Sequence, residues 1–241
     1  MQRICHALTT RFPNLKITGL CHEIASMSRQ LPTLMETDLD NIQFEAGGLN
    51  HFSILLHATY KDSGKDGYPL INKNFEGYYS DLVNDHEGFF SNAGAERGLF
   101  FELFKRYGYL PITTDSHLGE YLSWAYSVAD HDGILDFYDK YKKRCLSFFS
   151  NDGYEQFFDM SHPEPHERAI PIIESIVADL NMLEHAVNIK NENFIECLPN
   201  DIVVEVPAII NKTGVHGKKL DNYPEPFGAL LNAQVGTIQL T

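Results

Sequence analysis

Cys21 and His51 are the residues of this chain whose types and placement can do chemistry together. Cys21 follows the run Leu15-Lys16-Ile17-Thr18-Gly19-Leu20, whose composition predicts a short buried strand. His51 follows a predicted strand over residues 41–45 and the pair Gly47-Gly48, where the strand is expected to break. A thiol and an imidazole at the ends of neighbouring strands can share one divalent metal. Neutral imidazole suits manganese, iron, nickel or zinc, and thiolate suits the softer of these. Two protein ligands leave coordination positions open, which favours a catalytic site over a structural one. The plainer alternative is a buried cysteine and a hydrogen-bonded turn histidine, because no closely spaced Cys/His motif is present.

The elements that must position these residues follow from periodicity. Residues 2–11 have helical spacing, with Ile4, Ala7 and Leu8 on one side. Helix, turn and strand leading into a chemical site read as the last unit of an α/β sheet, where ligands collect at strand carboxyl ends. No Gly-x-Gly phosphate-binding turn precedes it. Residues 23–34 read as a helix whose first-turn N–H groups would favour the Cys21 thiolate. Strands at 41–45 and 52–60 flank the glycine pair, and 61–67 is a surface turn.

Residues 75–90 are aromatic and irregular, either a flap over a ligand or a loop that packs down. Helices are expected at 95–107 with Gly108 as C-cap, at 117–129 capped by Thr114 or Asp115, and at 134–149 with a solvated basic stretch. A further helix at 167–179 is expected to turn Ile170, Ile173 and Val177 inward. Alternation at 186–189 and 202–207 predicts an antiparallel sheet, and a last helix covers 227–240. The fold class is α/β followed by α+β.

The chain has 241 residues and a formal charge of −14, from 33 acidic and 19 basic side chains. Such a surface repels nucleic acid and anionic lipid, so neither is an expected partner. The cysteines Cys5, Cys21, Cys145 and Cys197 show no disulfide-framework spacing, which suits a reducing cytoplasm. No signal peptide, membrane span, internal repeat or low-complexity segment is visible.

Four motifs in order resemble those of glycoside hydrolase family 4, the NAD- and metal-dependent glycosidases. Gly19-Leu20-Cys21-His22-Glu23 is paired with Gly47-Gly48-Leu49-Asn50-His51-Phe52. Asp115-Ser116-His117-Leu118-Gly119-Glu120-Tyr121 resembles the family's Asp-x-His-x-x-Glu-Tyr segment. Asn193-Phe194-Ile195-Glu196-Cys197-Leu198-Pro199 and Val204-Glu205-Val206-Pro207 match the last two, with Glu196 and Cys197 as departures.

The resemblance implies an elimination. NAD takes hydride from the sugar's C3, a side-chain base removes the C2 proton, the glycosidic oxygen leaves, and the steps reverse with water. A divalent metal, manganese by the resemblance, would stabilise the enediolate. Cys21 and His51 are then the metal ligands. Asp115 is the first candidate for the base, with His117 second. Asn50 and His22 contact substrate. His22 stands where phospho-α-glucosidases carry aspartate, which points to an unphosphorylated galactoside, glucoside or uronide. Glu23 lies in a position that varies with substrate class.

By the same resemblance, residues 1–22 are the last helix and strand of a truncated dinucleotide-binding domain with a Rossmann-type sheet. Residues 23–241 are a catalytic domain like the C-terminal domain of lactate and malate dehydrogenases, incomplete at its end. The complete protein would be a homo-oligomer acting on a small carbohydrate. Two other readings compete. One is an NAD-dependent dehydrogenase of that same fold, which would need no metal. The other is an inactive fragment.

Overall fold

The computed structural model describes residues 2–12, 14–21, 23–84, 97–150 and 168–239. The helices are α1 (Gln2–Arg11), α2 (Glu23–Ser28), α3 (Leu31–Met35), α4 (Tyr68–Asn84), α5 (Gly98–Tyr107), α6 (Asp115–Leu118), α7 (His131–Ser150), α8 (Ala169–Ala178) and α9 (Glu225–Gln239). The strands are β1 (Ile42–Leu49), β2 (Phe52–Tyr60), β3 (Pro111–Ile112), β4 (Met182–Lys190), β5 (Val203–Asn211) and β6 (Gly214–Gly217).

They form one six-stranded sheet in the order β3-β2-β1-β5-β4, with β6 against β5. Every pairing is antiparallel. This is the α+β part of the expected fold. The chain divides into two compact units: residues 1–74, 103–113 and 166–241 in the first, 75–102 and 114–165 in the second. The boundary expected at residue 22 therefore falls inside the first unit.

β2 and β5 carry apolar residues at both parities and are buried along most of their length. A strand reads this way when both faces of its sheet are covered. In the first unit Phe227 of α9 packs on Phe52, ring centroids 5.3 Å apart, and on Tyr107 at 6.0 Å. The α8 helix docks by a hydrogen bond from Ser175 Oγ to the Ile210 carbonyl, 2.7 Å. In the second unit Phe75 and Tyr79 of α4 pack on Phe100, at 6.2 and 4.9 Å.

Several expectations need correction. Residues 15–20 form no strand: only Gly19 pairs, in an antiparallel bridge to Asn188, so the parallel unit read from the sequence is not formed there. In α1 it is Cys5 that is buried, while Ile4 is exposed. The helix expected at 23–34 is two short helices, α2 and α3. Residues 75–84 are helical and pack inward rather than forming a flap, and 85–90 lie outside the described residues. The long helix expected at 117–129 is the single turn α6, followed by turns closed by i→i+3 bonds such as Tyr121 N–H to the Leu118 carbonyl. In α8 the apolar face is reversed: Ile170, Ile173 and Val177 are exposed, and Ile172 and Ser175 are buried. Gly108 does cap α5, with φ 73° and its N–H on the Phe104 carbonyl.

Candidate active site

The glycine pair does not break β1; it lets the strand thread between two neighbours. Gly48 pairs with Ser53 of β2 and with Glu205 of β5. A Cβ on Gly47 would lie 2.6 Å from the Glu205 carbonyl oxygen, and one on Gly48 would lie 2.4 Å from that of Phe52. Only residues without side chains allow this approach. The hairpin then closes at Leu49↔Phe52, leaving Asn50 and His51 as its two-residue turn. His51 has φ 59°, a left-handed conformation uncommon for a residue with a side chain. Residues held this way often mark functional positions.

Cys21 reaches the same region along a different route. Gly19 exchanges both backbone hydrogen bonds with Asn188, each 2.8 Å, which docks residues 19–21 on β4. The half-buried Cys21 thiol accepts a hydrogen bond from the Glu23 N–H, and the Asn50 side chain reaches it as well. Burial, and then the charges of Glu205 and Glu23, nevertheless push its pKa up to about 11. The helix-start N–H therefore does not yield a thiolate by itself, contrary to the sequence expectation. The Glu23 carboxylate and a His51 ring nitrogen lie within 4.8 Å of each other.

Behind this cluster sits Glu205, fully buried. Ser53 Oγ lies 2.9 Å from Oε2, Asn188 Nδ2 donates to Oε1 at 3.2 Å, and the Asn50 side chain also hydrogen-bonds to it. Burial raises its pKa to about 7; the Glu23 charge adds to this and the three hydrogen bonds oppose it. Cys21, Glu23, Asn50, His51 and Glu205 all belong to the first unit. A thiol, an imidazole and a carboxylate, backed by a further buried acid, form a donor set that fits a divalent cation. Bound cations depress the pKa of a coordinating thiol far enough to deprotonate it.

His22 lies outside the described residues. Asp115 and His117 belong to the second unit. Asp115 is fully buried, and both carboxylate oxygens are occupied by backbone donors. Leu99 N–H and Asp130 N–H donate to Oδ2, at 2.9 and 3.0 Å, and Phe100 N–H to Oδ1 at 2.9 Å. It caps α5, not its own helix, and ties in the start of α7. A base must reach the proton it takes; this carboxylate holds its own unit together, so the base assignment from the resemblance is corrected. His117, one turn on and half-buried, has Nδ1 3.8 Å from Glu120 Oε1.

Sequence reasoning passed over Glu205 and gave Glu23 no ligand role. The signal for Glu205 was present: Ile202, Val203, Val204 and Val206 are apolar at both parities, so an acid among them has no solvent face.

Such a sheet and donor cluster define a metal-binding α+β domain of carbohydrate-active type, and the comparisons agree. Residues 46–241 match the family 4 glycosyl hydrolase C-terminal domain, and the chain belongs to that family. The alpha-glucosidase of Erwinia rhapontici is 41% identical over 266 aligned positions, covering all of this chain and 56% of that protein. The crystal structure of lplD from Bacillus subtilis superposes with a TM-score of 0.76 at 22% identity, over 99% of this chain and 57% of that one. A 6-phospho-alpha-glucosidase from gut microorganisms, in complex with NAD and Mn2+, gives 0.70 at 20% identity, over 99% and 55%. The chain thus spans about half the length of the relatives it matches.

Proposed function

We propose that this chain supplies the metal- and sugar-binding part of an NAD- and manganese-dependent glycosidase acting on unphosphorylated glycosides. The observation that carries the reading is the cluster around the Asn50-His51 turn: Cys21, Glu23 and His51, with Asn50 and Glu205 beside them. Cys21, His51 and Glu23 would hold the divalent ion, which when bound supplies Lewis acidity toward the sugar's hydroxyl oxygens. NAD would supply the hydride acceptor, and no residue of this chain is assigned to it. Asn50 orients a ligand by hydrogen bonding. Glu205, with its pKa near 7, limits the negative charge stored behind the site. With Asp115 occupied as a cap, His117 is the remaining candidate for proton transfer in its segment.

The relative at 41% identity is named an alpha-glucosidase, which makes an α-glucoside the first substrate to assay. Four free cysteines suit a reducing cytoplasm. Among the described residues no helix is long and apolar enough to cross a membrane. The test is calorimetric titration of Mn2+ into the purified chain, followed by assay with NAD and an α-glucoside. Saturable Mn2+ binding that is lost in Cys21→Ser and kept in Cys145→Ser supports the reading. Binding that survives in Cys21→Ser and in His51→Ala overturns it. Turnover without added metal would favour a dehydrogenase-like activity instead.

A further inference from the structure

We infer that Glu205 is a positioning residue: through the carboxamide of Asn50 it fixes which atom the Asn50-His51 turn offers to a bound cation. The inference rests on the proposed reading of that turn as part of a metal site. A carboxamide has an acceptor end, Oδ1, and a donor end, the NH2 group with two protons. Rotation by half a turn about its last bond exchanges the two ends with almost no change in shape. Something must choose between them.

Hydrogen bonds from Asn50 favour the anionic forms of both Cys21 and Glu205. A hydrogen bond with that effect is one donated to the acid. The NH2 group therefore faces both acids, two protons to two acceptors, and Oδ1 lies on the other side of the carboxamide. The reversed orientation would set Oδ1 against a carboxylate, oxygen against oxygen. A hard carbonyl oxygen at a turn that also carries an imidazole is the donor type that manganese takes readily.

Glu205 can perform this role because it is itself fixed. It lies on β5 between Gly48 and Asn188, its register partners on the two neighbouring strands. Ser53, two residues beyond His51, anchors one oxygen and Asn188 the other. Asn188 also binds Gly19 by both backbone hydrogen bonds, ahead of Cys21. One buried carboxyl group thus links the segment that carries the thiol to the turn that carries the imidazole.

The experiment uses the whole chain and Co2+ alone, read by sulfur-to-cobalt charge-transfer absorption. Asn50→Ala and Glu205→Met should each weaken Co2+ binding about tenfold, the size expected for outer-shell partners of a metal site. If Glu205 acts through Asn50, the double variant should be within about threefold of either single one. Glu205→Gln keeps an acceptor oxygen and should restore affinity to within about threefold of the wild type. Losses that multiply in the double variant, or full affinity in Glu205→Met, would overturn the inference. Glu205→Asp draws the carboxylate back by one methylene and gives the same expected loss, should Glu205→Met not fold.

A second readout needs no metal. The side-chain NH2 protons of Asn50 should exchange slowly with solvent in the wild type and Glu205→Gln. They should exchange fast in Glu205→Met or Glu205→Asp. Equal exchange in all four would overturn the inference whatever Co2+ does. Absence of Co2+ binding by the wild type would instead count against the proposed function, and the exchange rates would still decide the role of Glu205.

Discussion

Two buried carboxyl groups, one in each unit, have opposite surroundings. Asp115 and Glu205 are both withdrawn from solvent. The printed partners of Asp115 are backbone N–H groups, from Leu99, Phe100 and Asp130. Those of Glu205 are side chains, from Ser53, Asn188 and Asn50. Backbone donors cannot be redirected, so a carboxylate bound to them closes a fold. Side-chain donors can be oriented, so a carboxyl group bound to them can arrange a site. The residue types alone do not separate the cases; the partners do.

The contrast predicts different failures. Asp115→Ala strands three backbone donors, and the largest effect is expected there: a loss of about 3 kcal/mol of stability, since each orphaned buried donor costs on the order of 1–3 kcal/mol. Urea denaturation followed by fluorescence checks this. A change under about 0.5 kcal/mol would place Asp115 outside the frame of its unit.

Glu205 should show itself through pH. Its folded-state pKa is raised to about 7 from a model value of 4.5. Between those values the folded state holds more protons than the unfolded state, so stability falls as pH rises through the window. The loss is roughly 3 kcal/mol by linkage. Glu205→Gln, which does not titrate, should be flatter than the wild type between pH 5 and 8 in matched urea melts. Parallel curves would show that the buried acid does not govern this range.

Next in size is Gly47→Ala. Its Cβ would meet the Glu205 carbonyl oxygen at 2.6 Å, a backbone atom that cannot step aside. Overpacking of this kind costs about 1–3 kcal/mol. The thermal midpoint should fall, and the hairpin amides of residues 49–53 should lose hydrogen-exchange protection. An unchanged midpoint would mean that β1 and β5 are less closely apposed.

The smallest effect belongs to the exposed face of α8. Val177 is 81% exposed, so Val177→Ser should change stability by no more than about 0.5 kcal/mol. A larger loss would return that face to the interior, where its periodicity first suggested it.

How much the sequence disclosed varied along the chain for physical reasons. The β1–β2 hairpin and the β4–β5 pair were legible because apolar runs bounded by turn residues have few other solutions. The glycine pair was misread because glycine serves both as a strand breaker and as the residue that allows close backbone approach, and sequence does not say which. The inward face of α8 was misread because Ile170, Ile172, Ile173, Ile176 and Val177 surround the helix. The choice fell to Ser175, whose hydroxyl binds the Ile210 carbonyl.

The site was legible in its ligand types, Cys21 and His51, and less so in their supports. The Asp115 carboxylate was read as a base because its segment resembles one that carries a base. Its three amide partners come from residues 15 or 16 positions away, which no local pattern displays. Glu23 became a candidate ligand only once the fold set its carboxylate near the His51 ring.

The most direct test is the Mn2+ isotherm of the intact chain against its cysteine variants, read by calorimetry at pH 7.5. The donor cluster predicts one saturable site, weakened more than about a hundredfold by Cys21→Ser, beyond the range typical of outer-shell changes. Cys145→Ser and Cys197→Ser should leave it intact. Equal affinity in the wild type and Cys21→Ser, or loss in Cys145→Ser or Cys197→Ser instead, would contradict a metal site at Cys21 and the Asn50-His51 turn.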